Sequence, residues 1–216
     1  MRIAPEGWPF IAPASLLAGM ALFGAVRYDG PGWWAGAVFL VVVAGWMGWF
    51  FRDPVRHGPD DPRLVLAPAD GRVVSVLEAD EPLFLRCPAR RVSIFLNIFD
   101  VHVNRYPVGG TIELYRHERG QFLHAASDEA SRTNERATLG IQTERGRVLL
   151  RQIAGLVARR IVTDHREGTE VRQGKRLGII RFGSRVDVFV PREVTISVLP
   201  GTRVRAGVSV IGEWPA

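Results

Sequence analysis

Two uncharged apolar runs at the start of the chain constrain its fold more than any other feature. Residues 10–26 are uncharged over 17 positions, and residues 33–51 are uncharged over 19. As a helix, the second run would extend roughly 28 Å, close to the thickness of one hydrocarbon core. A short polar turn, RYDGPG, separates the runs. The pattern predicts that residues 1–52 form a two-helix membrane anchor.

A cleaved signal peptide is the alternative for the first run. Its leading segment carries Glu6 as well as Arg2, and no convincing A-x-A cleavage site follows it, so the anchor is favoured. The first run is short and begins near prolines, which leaves open whether it crosses the bilayer. Basic residues follow the second run: Arg52, Arg56, His57 and Arg63. By the positive-inside rule, the rest of the chain is expected on the cytoplasmic side of the inner (cell) membrane.

The charge balance agrees with a membrane location. The formal net charge is +6, and nearly all of the positive charge is arginine, with Lys175 the only lysine. A basic chain suits nucleic acid or an anionic membrane surface. No helix-turn-helix, zinc spacing or RNA-binding signature is present, so no nucleic-acid partner is expected. The single cysteine, Cys87, excludes an intrachain disulfide.

The remainder of the chain, residues 53–216, has the pattern of a β-rich domain. Short β-branched or alternating runs are punctuated by Gly, Pro or Asp at residues 64–66, 72–77, 92–99, 111–114, 148–157 and 186–190. Helical periodicity is weak except around residues 125–132. A weak internal repeat relates residues 171–179 to residues 204–212, because each has the pattern V-x-x-G before an apolar strand. We therefore expect a mainly β domain of the barrel or sandwich kind.

Gly183 and Ser184 lie between apolar strands. Such a pair is usually a bulge or turn. Its chemical alternative is specific, because a strained turn lets the Ser184 hydroxyl attack the preceding carbonyl. The resulting ester can eliminate to a dehydroalanine, which hydrolyses to a pyruvoyl group. Glycine suits the attacked position because it adds no bulk and tolerates unusual dihedral angles.

Two further segments carry candidate acid–base groups. Asp70 lies in the sequence PADG, where a simple turn is the alternative, and its carboxylate could orient an imidazole or help activate Ser184. Asp100, His102 and Asn104 alternate with apolar residues and would share one face of a strand. Histidine is the natural proton carrier near neutral pH, so His102 is the candidate acid–base residue.

The triplet NER ends in Arg136, which we expect to face a phosphate with Glu135 holding its geometry; a surface ion pair is the alternative. Arg105, beside the polar run, is a second candidate for the phosphate. No histidines are spaced as metal ligands, so no metal site is predicted.

In this order along the chain, these segments resemble the phosphatidylserine decarboxylase family in its short bacterial form. Each motif is weak singly, but the ordered set is specific. The matching segments are residues 50–54 (FFRDP), 68–71 (PADG), 99–105 (FDVHVNR), 134–136 (NER), 152–155 (QIAG) and 182–184 (FGS).

The resemblance implies self-cleavage at the Gly183–Ser184 bond. The products would be a β chain of residues 1–183 and an α chain of residues 184–216 that begins with a pyruvoyl group made from Ser184. It also implies that Asp70 activates the serine, that His102 acts in decarboxylation, and that phosphatidylserine is converted to phosphatidylethanolamine. Family members with the motif LGST have a second histidine three residues after the first, where this chain has Arg105. An arginine stays protonated, so either His102 serves both steps or Asp70 acts more directly.

Two other functions stay open on the sequence. A carrier module of the biotinyl or lipoyl type would need a modified lysine at an exposed hairpin tip, and Lys175 is the only candidate. A structural domain that binds anionic lipid would leave Ser184 inert. The accepted serine phospholipid, diacyl or ether-linked, and assembly into a homo-oligomer are also left open.

Overall fold

A computed structural model describes residues 2–121, 133–155, 160–181 and 184–215. The segment predicted to be helical, residues 125–132, lies outside the described residues, as does Gly183 of the expected cleavage bond. The chain divides into two compact units, Met1–Val55 and Arg56–Ala216.

The first unit is a helical hairpin. A short 3₁₀ turn, Pro5–Gly7, leads into α1 (Trp8–Tyr28), and α2 spans Pro31–Phe50. Both helices are long and apolar enough to cross a membrane, the first counted from Pro5 as 24 residues and the second as 20. The membrane anchor predicted from the apolar runs therefore has the expected helical form.

Local chemistry closes this hairpin at both ends. At the tip, Asp29 adopts a left-handed conformation (φ 40°) that ends α1, and its carboxylate accepts a hydrogen bond from Trp34 Nε1 at 3.2 Å. Gly24 lets the Trp33 ring pack closely, since a Cβ there would lie 2.7 Å from it. At the base, β1 (Arg2–Ile3) pairs antiparallel with β2 (Arg52–Asp53). Most large apolar side chains of both helices are exposed, as expected where lipid replaces water.

The second unit is built on an eight-stranded antiparallel sheet. Its order is β11-β7-β8-β9-β13-β5-β4-β15, so β13 lies in the interior of the sheet, between β9 and β5. The strands are β4 (Gly71–Glu81), β5 (Cys87–Leu96), β7 (Gly110–Glu118), β8 (Arg136–Gln142), β9 (Arg147–Ala154), β11 (Glu170–Val171), β13 (Ser184–Pro191) and β15 (Arg203–Val204).

Two three-stranded sheets complete the unit. One has the order β10-β12-β6 and the other β14-β16-β3. Their strands are β3 (Leu64–Leu66), β6 (Val103–Arg105), β10 (Ile161–Thr163), β12 (Arg176–Ile180), β14 (Thr195–Ile196) and β16 (Val210–Glu213).

A large apolar core is shared by these sheets. Val186 and Val188 of β13 contribute to it from the centre of the eight-stranded sheet, together with Leu177 and Ile180 of β12 and Ile211 of β16. Of the residues that the structure describes, 42% are in strands and 23% in helices, and the large sheet is curled into a half-barrel. The prediction of a mainly β, barrel- or sandwich-like domain after two helices is confirmed.

The internal repeat, residues 171–179 and 204–212, corresponds to two turns that pack against each other. Gly174 and Gly207 occupy the same position in each repeat, and both have a positive φ, +71° and +67°. A Cβ added to Gly207 would lie 3.2 Å from the Gly174 carbonyl oxygen. A side chain at residue 207 would therefore crowd the opposite turn.

Candidate active site

The site residues converge on one end of the eight-stranded sheet. Ser184, the first residue of β13, pairs with Leu96 at the end of β5 and with Ala154 at the end of β9. Next to β5, the strand β4 starts at Gly71, directly after Asp70. Antiparallel order thus brings together segments that are far apart in sequence.

Ser184 is completely buried, and its hydroxyl has no hydrogen-bond partner among the described residues. A buried hydroxyl normally finds a partner, so an orphaned one needs an explanation. The side chain lies on the same face as Val186 and Val188, because alternate residues of a strand point the same way. Ser184 is therefore held in a fixed strand position with an unused hydroxyl.

The next residue, Arg185, faces the opposite side of the sheet and is also buried. Its guanidinium donates to both oxygens of Asp187, at 2.6 and 3.2 Å, and to the Ser93 hydroxyl at 2.9 Å. Breaking a buried pair of this kind would leave an uncompensated charge. The arrangement ties β13 to β5 immediately beside Ser184.

Asp70 is held by its own neighbours. One carboxylate oxygen accepts a hydrogen bond from Arg56 at 2.7 Å, and the other accepts from the Ala206 backbone N–H at 2.7 Å. No hydrogen bond joins it to Ser184 Oγ. The structure therefore brings Asp70 to the same end of the sheet as Ser184, with its two oxygens engaged elsewhere.

His102 is fully buried in the loop between β5 and β6. Its Nδ1 lies 3.0 Å from the Asp100 carbonyl oxygen, and Ile180 donates its backbone N–H to the His102 carbonyl at 3.4 Å. Because a carbonyl only accepts, the neutral ring carries its hydrogen on Nδ1, and Nε2 is the nitrogen that can take up a proton. His102 therefore contacts Ile180, the last residue of β12, and Ser184 follows Ile180 by four positions in the chain.

The alternation at residues 100–104 predicted one continuous strand, and this prediction is wrong. Asp100 lies in a turn, where its carboxylate accepts from the Asn97 N–H at 2.9 Å, and only Asn104 lies on a strand. The local hydrogen bonds of Asp and Asn compete with the sheet ladder and break the strand here.

A buried amide relay was missed by the sequence analysis. Gln152 donates to Asn104 Oδ1 at 2.8 Å, and Thr163 donates its hydroxyl to Gln152 Oε1 at 3.4 Å. Asn104 Nδ2 is buried without a partner among the described residues. The only signal in the sequence was the presence of two amides in separate motifs, and nothing local indicated that they meet.

Arg105 contacts the paired glycine turns. Its Nη1 donates to the Gly174 carbonyl at 3.2 Å, and its Cδ would lie 2.8 Å from a Cβ at Gly207. Its backbone N–H donates to Pro68 at 2.8 Å, next to the Asp70 turn. The guanidinium is therefore tied to the turns by at least one of its donors.

Arg136 is held by Glu118 rather than by Glu135, which corrects the expected partner. Its Nε and Nη2 donate to the two Glu118 oxygens at 2.7 and 3.0 Å across the β7–β8 pair. This hydrogen bonding lowers the pKa of Glu118 and raises that of Arg136. Glu135 instead contacts His117 Nε2 at 3.0 Å. Cross-strand pairing, which the local sequence does not show, decided the partner.

Lys175 is exposed in a turn, but the flanking strands do not form a hairpin with each other. β11 pairs with β7 in the large sheet, whereas β12 pairs with β6 and β10 in a small one. The carrier alternative expected its lysine at a hairpin tip, which this turn is not.

Comparison with known proteins gives the class to which this arrangement belongs. Residues 43–212 match the family model described as phosphatidylserine decarboxylase, a span that includes Asp70, His102 and Ser184. The chain therefore belongs to the phosphatidylserine decarboxylase family, as its ordered motifs indicated.

Individual relatives extend the match to nearly the whole chain. A phosphatidylserine decarboxylase proenzyme of Symbiobacterium thermophilum is 48% identical over 214 residues, covering 99% of this chain and 96% of the relative. A proenzyme of the same name from Magnetococcus marinus is 43% identical, covering 97% and 94%. One from Salinibacter ruber is 47% identical over 187 residues, covering 84% and 82%.

Proposed function

We propose that this chain is a membrane-anchored proenzyme that cleaves itself between Gly183 and Ser184 and then decarboxylates phosphatidylserine to phosphatidylethanolamine. The observation that carries the proposal is the buried Ser184 hydroxyl, which has no partner among the described residues. Ser184 is the first residue of β13, an interior strand of the sheet. The names of the relatives, all proenzymes, support a chain made in precursor form.

Self-cleavage begins at the serine side chain. Ser184 Oγ attacks the carbonyl carbon of residue 183, its proton passes to a base, and the amide nitrogen leaves to give an ester. Loss of the Ser184 α proton then breaks the Cβ–O bond and releases residues 1–183 with a new carboxylate. Water replaces the nitrogen of the remaining dehydroalanine, and ammonia departs. Asp70 and His102, at the same end of the sheet, are the candidate bases.

The surroundings of Ser184 fit a pyruvoyl group at this position. The side chain is fully buried on the face of β13 that contributes Val186 and Val188 to the apolar core, and the neighbouring strands on both sides hold its main chain. When present, a pyruvoyl group supplies a carbonyl that draws electrons from the substrate as carbon dioxide leaves.

His102 is proposed to hold and return the proton in the decarboxylation. The Asp100 carbonyl orients the ring and keeps a hydrogen on Nδ1, so Nε2 exchanges the proton. Complete burial excludes bulk water from the imidazole, which protects the proton transfer from competition with solvent.

Arg105 and Arg136 are the proposed contacts for the lipid phosphate. Each already donates to protein oxygens, of Gly174 and Glu118 respectively. For Arg136, the phosphate would have to share the guanidinium with the Glu118 carboxylate, which would repel it.

The helical hairpin is proposed to anchor the domain in the inner membrane, with the catalytic unit on the cytoplasmic side. Arg52, Arg56, His57 and Arg63, which follow α2, support this orientation through the positive-inside rule. The anchor would keep the domain where its lipid substrate lies.

Intact-mass measurement of the purified chain, joined to an assay of carbon dioxide released from carboxyl-labelled phosphatidylserine, tests the proposal. Wild type should give two chains, the smaller one being residues 184–216 with a blocked N-terminus. Ser184→Ala should remain one chain of about 24.0 kDa and release no carbon dioxide. Ser197→Ala, at an exposed serine, is the matched control and should cleave normally.

Two results would overturn the proposal. One is a wild-type chain that stays intact and unmodified under conditions in which it is folded. The other is a Ser184→Ala chain that still splits at the same bond.

A further inference from the structure

The turn that precedes His102 presents two large apolar side chains to solvent. Ile98 is 41% exposed and Phe99 is 64% exposed, between the end of β5 and the His102 loop. Apolar surface that is concentrated at the tip of an ordered turn and bordered by polar or charged residues is a candidate interaction site.

This turn is held rigidly by its own polar groups. The Asn97 N–H donates to Asp100 Oδ2 at 2.9 Å, the Phe99 N–H donates to Asn97 Oδ1 at 2.8 Å, and the Asp100 N–H donates to the Asn97 carbonyl at 3.1 Å. The backbone that carries Ile98 and Phe99 is therefore closed by hydrogen bonds. Collapse of the turn onto the domain surface would break them.

Two exposed arginines flank the turn. Arg203 donates to Asp100 Oδ1 at 3.3 Å while its side chain stays 72% exposed. Arg203 also pairs directly with Arg72 across β15 and β4, and Arg72 is exposed as well. Like charges opposite each other on neighbouring strands repel, so an anion beside them would be stabilising.

The same turn positions the candidate acid–base residue. Asp100, which closes the turn and accepts from Arg203, also provides the carbonyl that holds His102 Nδ1 at 3.0 Å. Ile98 and Phe99 therefore lie two residues and one residue before Asp100, the residue that orients the imidazole.

We propose that the Ile98–Phe99 turn is a membrane-docking element, inserting its two apolar side chains among the headgroups of an anionic bilayer while Arg72 and Arg203 contact lipid phosphates. Two apolar side chains are too few for a stable protein–protein interface, whereas an apolar tip with a cationic rim matches the boundary of an anionic bilayer. The catalytic consequence, delivery of the head group beside His102, rests on the proposed function. The docking itself does not.

Site-directed spin labelling of the full chain tests the docking. The single native cysteine allows a Cys87→Ser background in which Ile98→Cys carries the label. The chain is placed in nanodiscs of equal parts phosphatidylcholine and phosphatidylglycerol, and accessibility to oxygen is compared with accessibility to a water-soluble nickel chelate. Glu144→Cys is the control, because this exposed residue lies in the turn between β8 and β9, at the other end of the sheet.

We expect the oxygen-to-nickel accessibility ratio at residue 98 to rise severalfold from detergent to anionic nanodiscs, while the ratio at residue 144 stays at its aqueous value. Arg72→Gln together with Arg203→Gln should reduce the rise in anionic nanodiscs. Equal ratios at residues 98 and 144 in the nanodiscs would overturn the proposal. Protection of residue 98 from both reagents in detergent would also overturn it, in favour of coverage by a second copy.

The measurement is repeated in the Ser184→Ala background, where the proposed self-cleavage cannot occur. Docking there should be unchanged, because the turn and both arginines lie outside the bond that is cut. A chain that docks but releases no carbon dioxide would count against the proposed function alone. A chain that decarboxylates lipid while residue 98 stays in water would count against the docking alone.

Discussion

Gln152 donates a hydrogen bond from Nε2 to Oδ1 of Asn104 over 2.8 Å, and both side chains are completely buried. Gln152 pairs with Val186 across β9 and β13, on the same face as Ser184. The relay therefore reaches β13 at Val186, which is two residues, or roughly 7 Å along the strand, from Ser184. Asn104 Nδ2 is buried without a partner among the described residues, so the relay ends in a donor that is not used within that part of the chain.

Asn104→Ala is expected to lower the rate of decarboxylation roughly 100-fold, because it removes a buried, preorganised donor from the relay that meets β13 near Ser184. It should also lower the free energy of unfolding by about 1–3 kcal/mol, since Gln152 Nε2 is left without its acceptor. Thr163→Val, at the other end of the relay, is the control: it should cost about 1 kcal/mol of stability and little activity. Equal rates for the two variants would show that Asn104 only packs.

The role of Asp70 can be separated from its ion pair with Arg56. If the carboxylate activates Ser184, Asp70→Asn stops self-cleavage, whereas Arg56→Ala leaves the carboxylate in place and the chain still cleaves. If Asp70 only holds the turn, the two variants should slow cleavage and lower the melting temperature alike. The fraction of cleaved chain after purification, measured by intact mass, distinguishes these outcomes.

The Glu118–Arg136 pair should give a pH-dependent contribution to stability. The hydrogen bond from Arg136 holds the folded-state pKa of Glu118 below its unfolded value. The stabilisation is therefore present above the unfolded pKa, near 4, and is lost as the pH falls through the folded value. Arg136→Met should lower the free energy of unfolding by about 0.5–1 kcal/mol at pH 7, since the pair is partly exposed, and by less in acid.

Arg192→Met is the matched control, because Arg192 also donates to both oxygens of a glutamate, Glu78, but at a more exposed site, where the two side chains are 60% and 62% exposed. Its effect on stability should be smaller at every pH. Thermal unfolding of each variant in detergent at neutral and acid pH measures both. A loss for Arg136→Met that does not diminish in acid would contradict the assignment to Glu118.

Gly71 should tolerate no side chain. Its φ is +150°, and a Cβ there would lie 2.1 Å from the Phe95 carbonyl oxygen. Gly71→Ala is expected to cost about 3 kcal/mol and to reduce the yield of cleaved chain, because β4 starts there directly after Asp70. Gly168→Ala, with a φ of +82° and open space around the added atom, should cost only about 1 kcal/mol and leave cleavage intact. Comparable melting temperatures for the two variants would contradict this.

Much of the fold was readable from local patterns. The two apolar runs predicted α1 and α2 because uncharged helical segments of membrane length have few alternative environments. The strand runs at residues 64–66, 72–77, 111–114 and 186–190 all lie within observed strands. The run at 92–99 was too long by three residues, because the Asn97 and Asp100 side chains close a turn there. The strand expected over residues 100–104 is reduced to β6, Val103–Arg105. The short strand β10, Ile161–Thr163, was missed, since three residues carry no periodicity of their own.

The candidate site was predicted as a set of residues, but not as an arrangement. The ordered motifs identified Asp70, His102 and Ser184, and the structure brings all three to one end of the sheet. Their roles stay predictions. The sequence did not reveal that Asp70 is paired with Arg56, that Glu118 and not Glu135 holds Arg136, or that Asn104 and Gln152 meet. Each of these contacts depends on which strands pair and in what register.

By itself the sequence determined the helical hairpin, the β-rich domain and the family. Each of these follows from the order of residues along the chain: the length of the apolar runs, the alternation of apolar and polar residues, and the order of the motifs. Only the tertiary structure decided that Ser184 starts an interior strand with its hydroxyl buried and without a partner among the described residues. It likewise decided that the turn before His102 exposes Ile98 and Phe99. Burial and hydrogen-bond partners depend on which residues of other strands lie next to a side chain. A local sequence pattern does not specify those neighbouring residues.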